Sequence, residues 1–277
     1  MRSLAVIALL YSSAAAEPAR TTVDKLVRTA VATVDAKLLA DHAVINIYGS
    51  DESDLVAVSA IRTHGSGGKI TRKIDPRGVT IIADEAAGAA WFVAPYTLDI
   101  VDPPMDVSEV HSKERVAGLV LRTGGTWRIA GLLYARTMPD KELMDPANLS
   151  TATDAMPAAA QLGGDDDAVG REIRGWFATG LAKAAAPGIE VLAAGTQASE
   201  LATTSAASLK LAATWDALKL VPGRLHASLF GDGKLAFVTT TVYLPRKTGP
   251  GAVRMGLAIV AIKTTAGWRW VSLQFSA

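Results

Sequence analysis

In the stretch WFVAPYTLDIV, Trp91 to Val101, one carboxylate, Asp99, closes a run of apolar and aromatic residues. Read as a strand, the period of two puts Asp99 on one face with Trp91, Val93, Pro95 and Thr97. A carboxylate on such a face loses solvation, its pKa rises, and it becomes able to serve as a base toward a bound molecule. Tyr96, a phenol donor nearby in the sequence, falls on the opposite face because adjacent strand residues alternate. Asp99 also stands just before VDPP, a strand end where a solvated aspartate is ordinary. It is a candidate base and pocket residue whose partners must come from other strands.

His226, in the apolar stretch RLHASLF, is the second candidate pocket residue. The four histidines, His42, His64, His111 and His226, have no short ligand spacing, and cysteine is absent, so no metal site is expected. HGSGGKIT, His64 to Thr71, resembles a phosphate loop, but Ile70 stands where Ser or Thr belongs and Thr63 where the first glycine belongs. A turn is the expected structure there. No nucleophile elbow, zinc-protease helix, dinucleotide fingerprint or calcium loop occurs, and no cofactor is expected.

The elements that would position these residues are written twice. At a shift of 141 residues, VAGLVLRTGGTWRIAGLLYA lies without gaps on LAIVAIKTTAGWRWVSLQFS, with Trp127 on Trp268. Each copy has an apolar run, a basic residue, a Thr/Gly-rich turn, Trp-Arg and an alternating tail, the pattern of a β-hairpin. Upstream, Phe92 is aligned with Phe237 and Val93 with Val238, which puts Asp99 on Leu244 and Tyr96 on Thr241. Further back, Gly49 lies on Gly195 and Ser53 on Ser199. These serines are expected to cap helices through Leu55–Ile61 and Leu201–Leu218.

Each copy opens on a helical pattern, Val23, Leu26, Val27, Ala30, Val31, Val34 and Leu38 in the first and Val169, Ile173, Trp176, Phe177 and Leu181 in the second. Helices followed by a run of antiparallel strands make each unit α+β. The expected division is a signal peptide at 1–16, domain 1 at 17–144, a linker at 145–164 and domain 2 at 165–277. The linker region carries Pro146, Pro157 and the sequon Asn148-Leu149-Ser150. Runs Val116–Leu121 and Leu257–Ile262 are apolar at every position, so both their faces need cover. Helices of the same unit supply one face; a sheet of the other copy, tethered nearby, supplies the second. The two domains are therefore expected to pair as an intramolecular pseudo-dimer.

Lys and Arg number 28 against 27 Asp and Glu, leaving no field that would attract nucleic acid or an anionic membrane. MRSLAVIALLYSSAAAEPAR has Arg2, an apolar run from Leu4 to Tyr11, and Ala14 and Ala16 at the spacing of a cleavage site. If this segment is a signal peptide, export to the periplasm or medium is expected, with the mature chain beginning at or near Glu17; otherwise the cytoplasm is expected. The run is too short to span a membrane, which takes about 20 apolar residues.

The order of elements, the G-[ST]-x-x-S-[DE]-L turns at Gly49 and Gly195, and the closing W-R-[IW]-x-x-x-x-[YF] at Trp127 and Trp268 resemble the SnoaL-like branch of the nuclear transport factor 2-like superfamily. The resemblance extends over both copies. It implies cone-shaped domains, each a strongly curved antiparallel sheet wrapped around helices with a pocket at the wide end. The fold hosts isomerases, dehydratases and cyclases as well as members without chemistry, so it fixes no function. Ketosteroid-isomerase-like relatives pair an aspartate base with a tyrosine donor, but the residues aligned with Asp99 and Tyr96 in the second copy are Leu244 and Thr241. Trp127 and Trp268, common to both, read as packing. The preferred reading is a non-catalytic exported protein that binds a small apolar ligand or a protein partner. The alternative is an isomerase, dehydratase or cyclase acting on a polyketide- or steroid-like substrate in the domain 1 pocket.

Overall fold

The computed structural model describes residues 13–33, 35–47, 55–57, 69–75, 78–101, 110–137, 168–197, 200–202, 205–245 and 251–276. The chain is α+β, with few helices and two mixed sheets. In the first half, helix α1 (Ser13–Thr33) precedes β1 (Leu39–Ile47), β2 (Leu55–Ala57), β3 (Lys69–Ile74), β4 (Thr80–Asp84), β5 (Ala89–Val101), β6 (Val110–Thr123) and β7 (Thr126–Arg136). The second half has α2 (Ala168–Thr179), β8 (Leu192–Ala194), β9 (Leu201–Ala202), α3 (Ser205–Ala217), β10 (Val221–Phe230), β11 (Leu235–Pro245), β12 (Ala252–Thr264) and β13 (Gly267–Ser276).

The two sheets follow one plan. The first runs β2-β1-β7-β6-β5-β3 with β4 also on β5, and the second β10-β11-β12-β13-β8-β9. In each, one parallel contact, β1 with β7 or β8 with β13, interrupts an antiparallel ladder. The hairpins answer the repeated text. Gly124 and Gly125, at φ 57° and 81°, form the two-residue turn from β6 to β7, the left-handed geometry that a tight hairpin demands. A bulge follows at the same place in both copies, between Leu119 and Val120 and between Val260 and Ala261. Bulges bend a strand and increase its twist.

Helix α1 buries the stripe Val23, Val27, Ala30 and Val31 against β3, β4 and β7, the spacing of one helical face. Glu17, the expected cleavage point, falls within α1. Alternation along β6 then divides two cores. Val116 and Val120 pack with the α1 stripe, Phe92 and Leu132. Ala117, Leu119 and Leu121 belong to a second cluster with Trp91, Phe237, Val238 and Ile259. Both faces of Val116–Leu121 are thus covered, as its unbroken apolar run requires.

Three expectations are corrected. Leu55–Ala57 is a strand, paired antiparallel with Val44–Asn46, where a helix was expected; the edge of β1 offers backbone hydrogen bonds to an added strand. Leu201–Ala202 likewise pairs with β8, and the helix begins only at Ser205. Ser53 and Ser199, the expected caps, lie outside the described residues, as does the linker with its sequon.

The third correction is one of register. The gapless hairpin match puts Ala117 on Ala258; Ala117 pairs with Val93, and Ala258 with Thr239. Val93 therefore corresponds to Thr239, Trp91 to Phe237, Tyr96 to Val242 and Asp99 to Pro245. The alignment of Phe92 with Phe237 is one residue out, and a slip of one residue exchanges the faces of a strand. Phe92 accordingly packs with the α1 stripe, whereas Phe237 lies against Gly131 of the other half.

Candidate functional site

Helix α1 leaves part of the first sheet's inner face to polar residues. On β3, Arg72 and Ile74 share a face, and Ile74 stands opposite Tyr96. Tyr96 stands opposite Glu114, Leu98 opposite Ser112, and Val116 opposite Tyr134. Arg72, Tyr96, Ser112, Glu114 and Tyr134 therefore point to the side of the sheet that α1 covers.

The sheet's curvature brings them together. Strands β3 and β7 are three places apart, about 14 Å in a flat sheet, yet the Arg72 guanidinium lies 5.3 Å from the centroid of the Tyr134 ring. The rings of Tyr96 and Tyr134 meet edge to face, 5.9 Å apart at 86°, a favoured aromatic geometry. The Tyr96 hydroxyl donates to Glu114 Oε2, and Ser112 Oγ donates to Glu114 Oε1 at 2.9 Å. Glu114 is buried, and hydrogen bonds to both oxygens are what a buried carboxylate requires.

Tyr134 is 4% exposed, and its hydroxyl has no hydrogen-bond partner among the described residues. Burial pushes its phenol above the usual 10.0, while the charge of Arg72 pulls the other way. The Nε of Arg72 is also buried without a partner among the described residues. Among the described residues the site thus holds a satisfied carboxylate and two buried donor atoms, the Tyr134 hydroxyl and the Arg72 Nε, without an acceptor.

The second half lacks this chemistry. By the ladder register, Val242, Val253, Met255 and Phe275 occupy the positions of Tyr96, Ser112, Glu114 and Tyr134. The Phe275 ring lies 4.2 Å from that of Trp215 on α3, so apolar side chains fill the corresponding space.

Asp99 and His226 lie elsewhere. Asp99 pairs with Thr71 and His111 and shares its face with Val93 and Trp91, whose cluster includes residues of the second half. Tyr96 is on the other face, as alternation dictates. His226 stands opposite Thr239, on the face of Phe237 that meets the first half, and its Nε2 is buried without a partner among the described residues. Asp99 and His226 are on different sheets, and neither joins the Arg72–Tyr134 set. No cluster of metal-ligating side chains occurs among the described residues.

Arg72 and Glu114 were not among the candidates, although the sequence carried a signal for Arg72. In KITRKI, a cation occupies the phase of Ile70 and Ile74. In HSKERV, Ser112 and Glu114 share the phase of Val116, but the polar residues between them hide the alternation.

A cleft of about 180 Å³ is lined by Tyr96 and Glu114 together with Pro95, Thr97, Lys113, Arg115 and Leu201, among others. The buried Arg115 donates to the carbonyls of Gly195 and Gln197 at 2.9 and 2.6 Å. Desolvation lowers its pKa to about 10, opposed by the charge of Glu200. These two hydrogen bonds join β6 to the segment that follows β8. No helix among the described residues is long and apolar enough to cross a membrane.

The sequence matches no protein-family model and no curated protein. Solved structures similar to it include nuclear transport factor 2-like proteins. One, a member of that superfamily from Salmonella enterica serovar Typhimurium, is 14% identical with a TM-score of 0.35, covering 44% of this chain and 92% of its own. A nuclear transport factor 2-like protein with a cystatin-like fold from Novosphingobium aromaticivorans is 11% identical with a TM-score of 0.32, covering 46% and 90%. The Kfla4162 protein of Kribbella flavida is 13% identical with a TM-score of 0.34, covering 43% and 90%.

Proposed function

We propose that the chain consists of two SnoaL-like domains, 17–144 and 165–277, paired as an intramolecular pseudo-dimer. In this reading the first domain binds a small molecule in its cone and the second serves as its structural partner. One observation carries the assignment of roles: the inward positions held by Tyr96, Ser112, Glu114 and Tyr134 in the first half are Val242, Val253, Met255 and Phe275 in the second. Burying polar groups costs stability, and the second half shows that this scaffold folds without them at these positions. Their presence in one half only is what a binding site requires and a structural core does not.

The ligand joins an apolar body to a polar end. The apolar side chains beside the Arg72–Tyr134 end receive the body, and that end receives the polar group. Glu114 holds Tyr96 and Ser112 in position. Binding without chemistry is the simpler function, because both Glu114 oxygens already accept hydrogen bonds. A second reading rests on the Tyr96–Glu114 contact, a phenol donating a hydrogen bond to a carboxylate beside the cone. It makes the first domain an isomerase, dehydratase or cyclase, with Glu114 as the base in place of Asp99. Export of the protein is part of the proposal and is supported by Arg2, the apolar run Leu4–Tyr11 and the small residues at Ala14 and Ala16.

The test gives the first half the residues of the second. Full-length protein and the variant Tyr96→Val/Glu114→Met/Tyr134→Phe are purified in parallel and examined by native mass spectrometry and by thermal shift against a small-molecule library. A co-purified or library ligand that binds the wild type and not the folded variant supports the reading. A ligand that binds both equally places the site elsewhere.

A further inference from the structure

We infer that Arg72 and Tyr134 form a two-donor seat for a carboxylate, so that the first half's ligand is an apolar monocarboxylate. The inference rests on the small-molecule reading above and deepens it. Buried donors are almost always paired, and leaving one unpaired is costly. Here two lie together. The Tyr134 hydroxyl is attached to a side chain that is 4% exposed, and the Arg72 Nε is itself buried. Neither has an acceptor among the described residues, and the guanidinium is 5.3 Å from the tyrosine ring.

Glu114, the nearby carboxylate, does not supply the missing acceptor. Its hydrogen bonds go to Tyr96 and Ser112, and it makes none with Arg72 or Tyr134. Arg72 carries a permanent charge and has no ion pair among the described residues. A ligand oxygen that completes this site must accept from a phenol and a guanidinium and carry negative charge. One cation balances one negative charge, which favours a monocarboxylate over a doubly charged phosphate. The surrounding side chains Ile74, Leu98 and Val116, buried and apolar, fit an aliphatic or aromatic body and exclude a second charged end.

The probes are phenylacetate and decanoate, each set against its neutral amide, in titration calorimetry on the full-length protein. An acid should bind about tenfold or more tighter than its amide, the usual worth of a charge-assisted hydrogen bond. Arg72→Met should abolish that preference by weakening the acid far more than the amide, and Tyr134→Phe should likewise weaken the acid more than the amide. Arg72→Lys serves if Arg72→Met does not fold, and the acid–amide comparison itself needs no variant. Equal binding of acid and amide, both lost in the Tyr96→Val/Glu114→Met/Tyr134→Phe variant, would overturn the carboxylate seat and keep the small-molecule reading. A neutral co-purified ligand with no acid binding would do the same. An acid preference that survives Arg72→Met and Tyr134→Phe, or an ordered water bridging Arg72 and Tyr134 in crystals soaked with the acids, would also overturn the seat. Absence of any ligand, probe or co-purified, would overturn both proposals.

Discussion

The ring of Phe237, on β11 of the second half, is seated on Gly131 of β7 in the first, where a Cβ would stand 2.4 Å from the ring. Gly131 lies beside the bulge of its hairpin, and in the second hairpin its counterpart is Ser272. The missing side chain lets two sheets approach with an aromatic ring between them. Gly131→Ala should therefore cost about 1–3 kcal/mol by overpacking. Phe237→Leu should relieve much of that in the double variant. Urea unfolding of the four proteins measures the coupling; additive losses would show that ring and glycine do not meet.

Arg115 is the polar counterpart of that contact. Its fork spans the Gly195 and Gln197 carbonyls, a geometry that lysine cannot reproduce. Arg115→Met should lower stability by about 1.5–3 kcal/mol, and Arg115→Lys should recover little of it. Both should make the linker more susceptible to limited proteolysis. Full stability in the lysine variant would reduce Arg115 to a point charge.

Tyr134 gives stability a pH dependence of known sign. Its phenol is raised from 10.0 by burial, so above that pH the unfolded chain releases a proton that the native state keeps. Unfolding then gains, and the stability due to this group falls as pH rises past about 10. Tyr134→Phe should flatten this part of the alkaline stability curve. In spectrophotometric titration of the wild type, one tyrosine should ionise late and be absent from the variant. An early, normal titration of all tyrosines would place Tyr134 in solvent.

Separation of the halves tests the domain pairing. Trp91, Ala117, Leu119 and Leu121 share their cluster with residues of the second half, and each large side chain exposed by separation forfeits about 1.5–3 kcal/mol. Expressed alone, 17–144 and 165–277 should aggregate or self-associate, seen as excess mass in light scattering. Two monomeric halves that melt near the full-length temperature would mean that each covers its own strands.

Some of this was written locally. The repeat anchored at Trp127 and Trp268, the α1 stripe and the burial of both faces of Val116–Leu121 follow from period and turn chemistry, which need only neighbours in the chain. Leu55–Ala57 was not legible, because three residues take their conformation from the edge that they pair with. Nor was the correspondence of Trp91 with Phe237, since register is fixed by the partner strand, and one residue of slip sent the comparison of Asp99 and Tyr96 to the wrong positions. The site was the least legible part. Arg72, Glu114 and Tyr134 are far apart in the sequence and on three different strands, and what gathers them is the curvature of the whole sheet. The sequence by itself determined which residues alternate inward; which inward residues meet was decided by tertiary structure, because bending a sheet converts separation along its width into contact across its concave face.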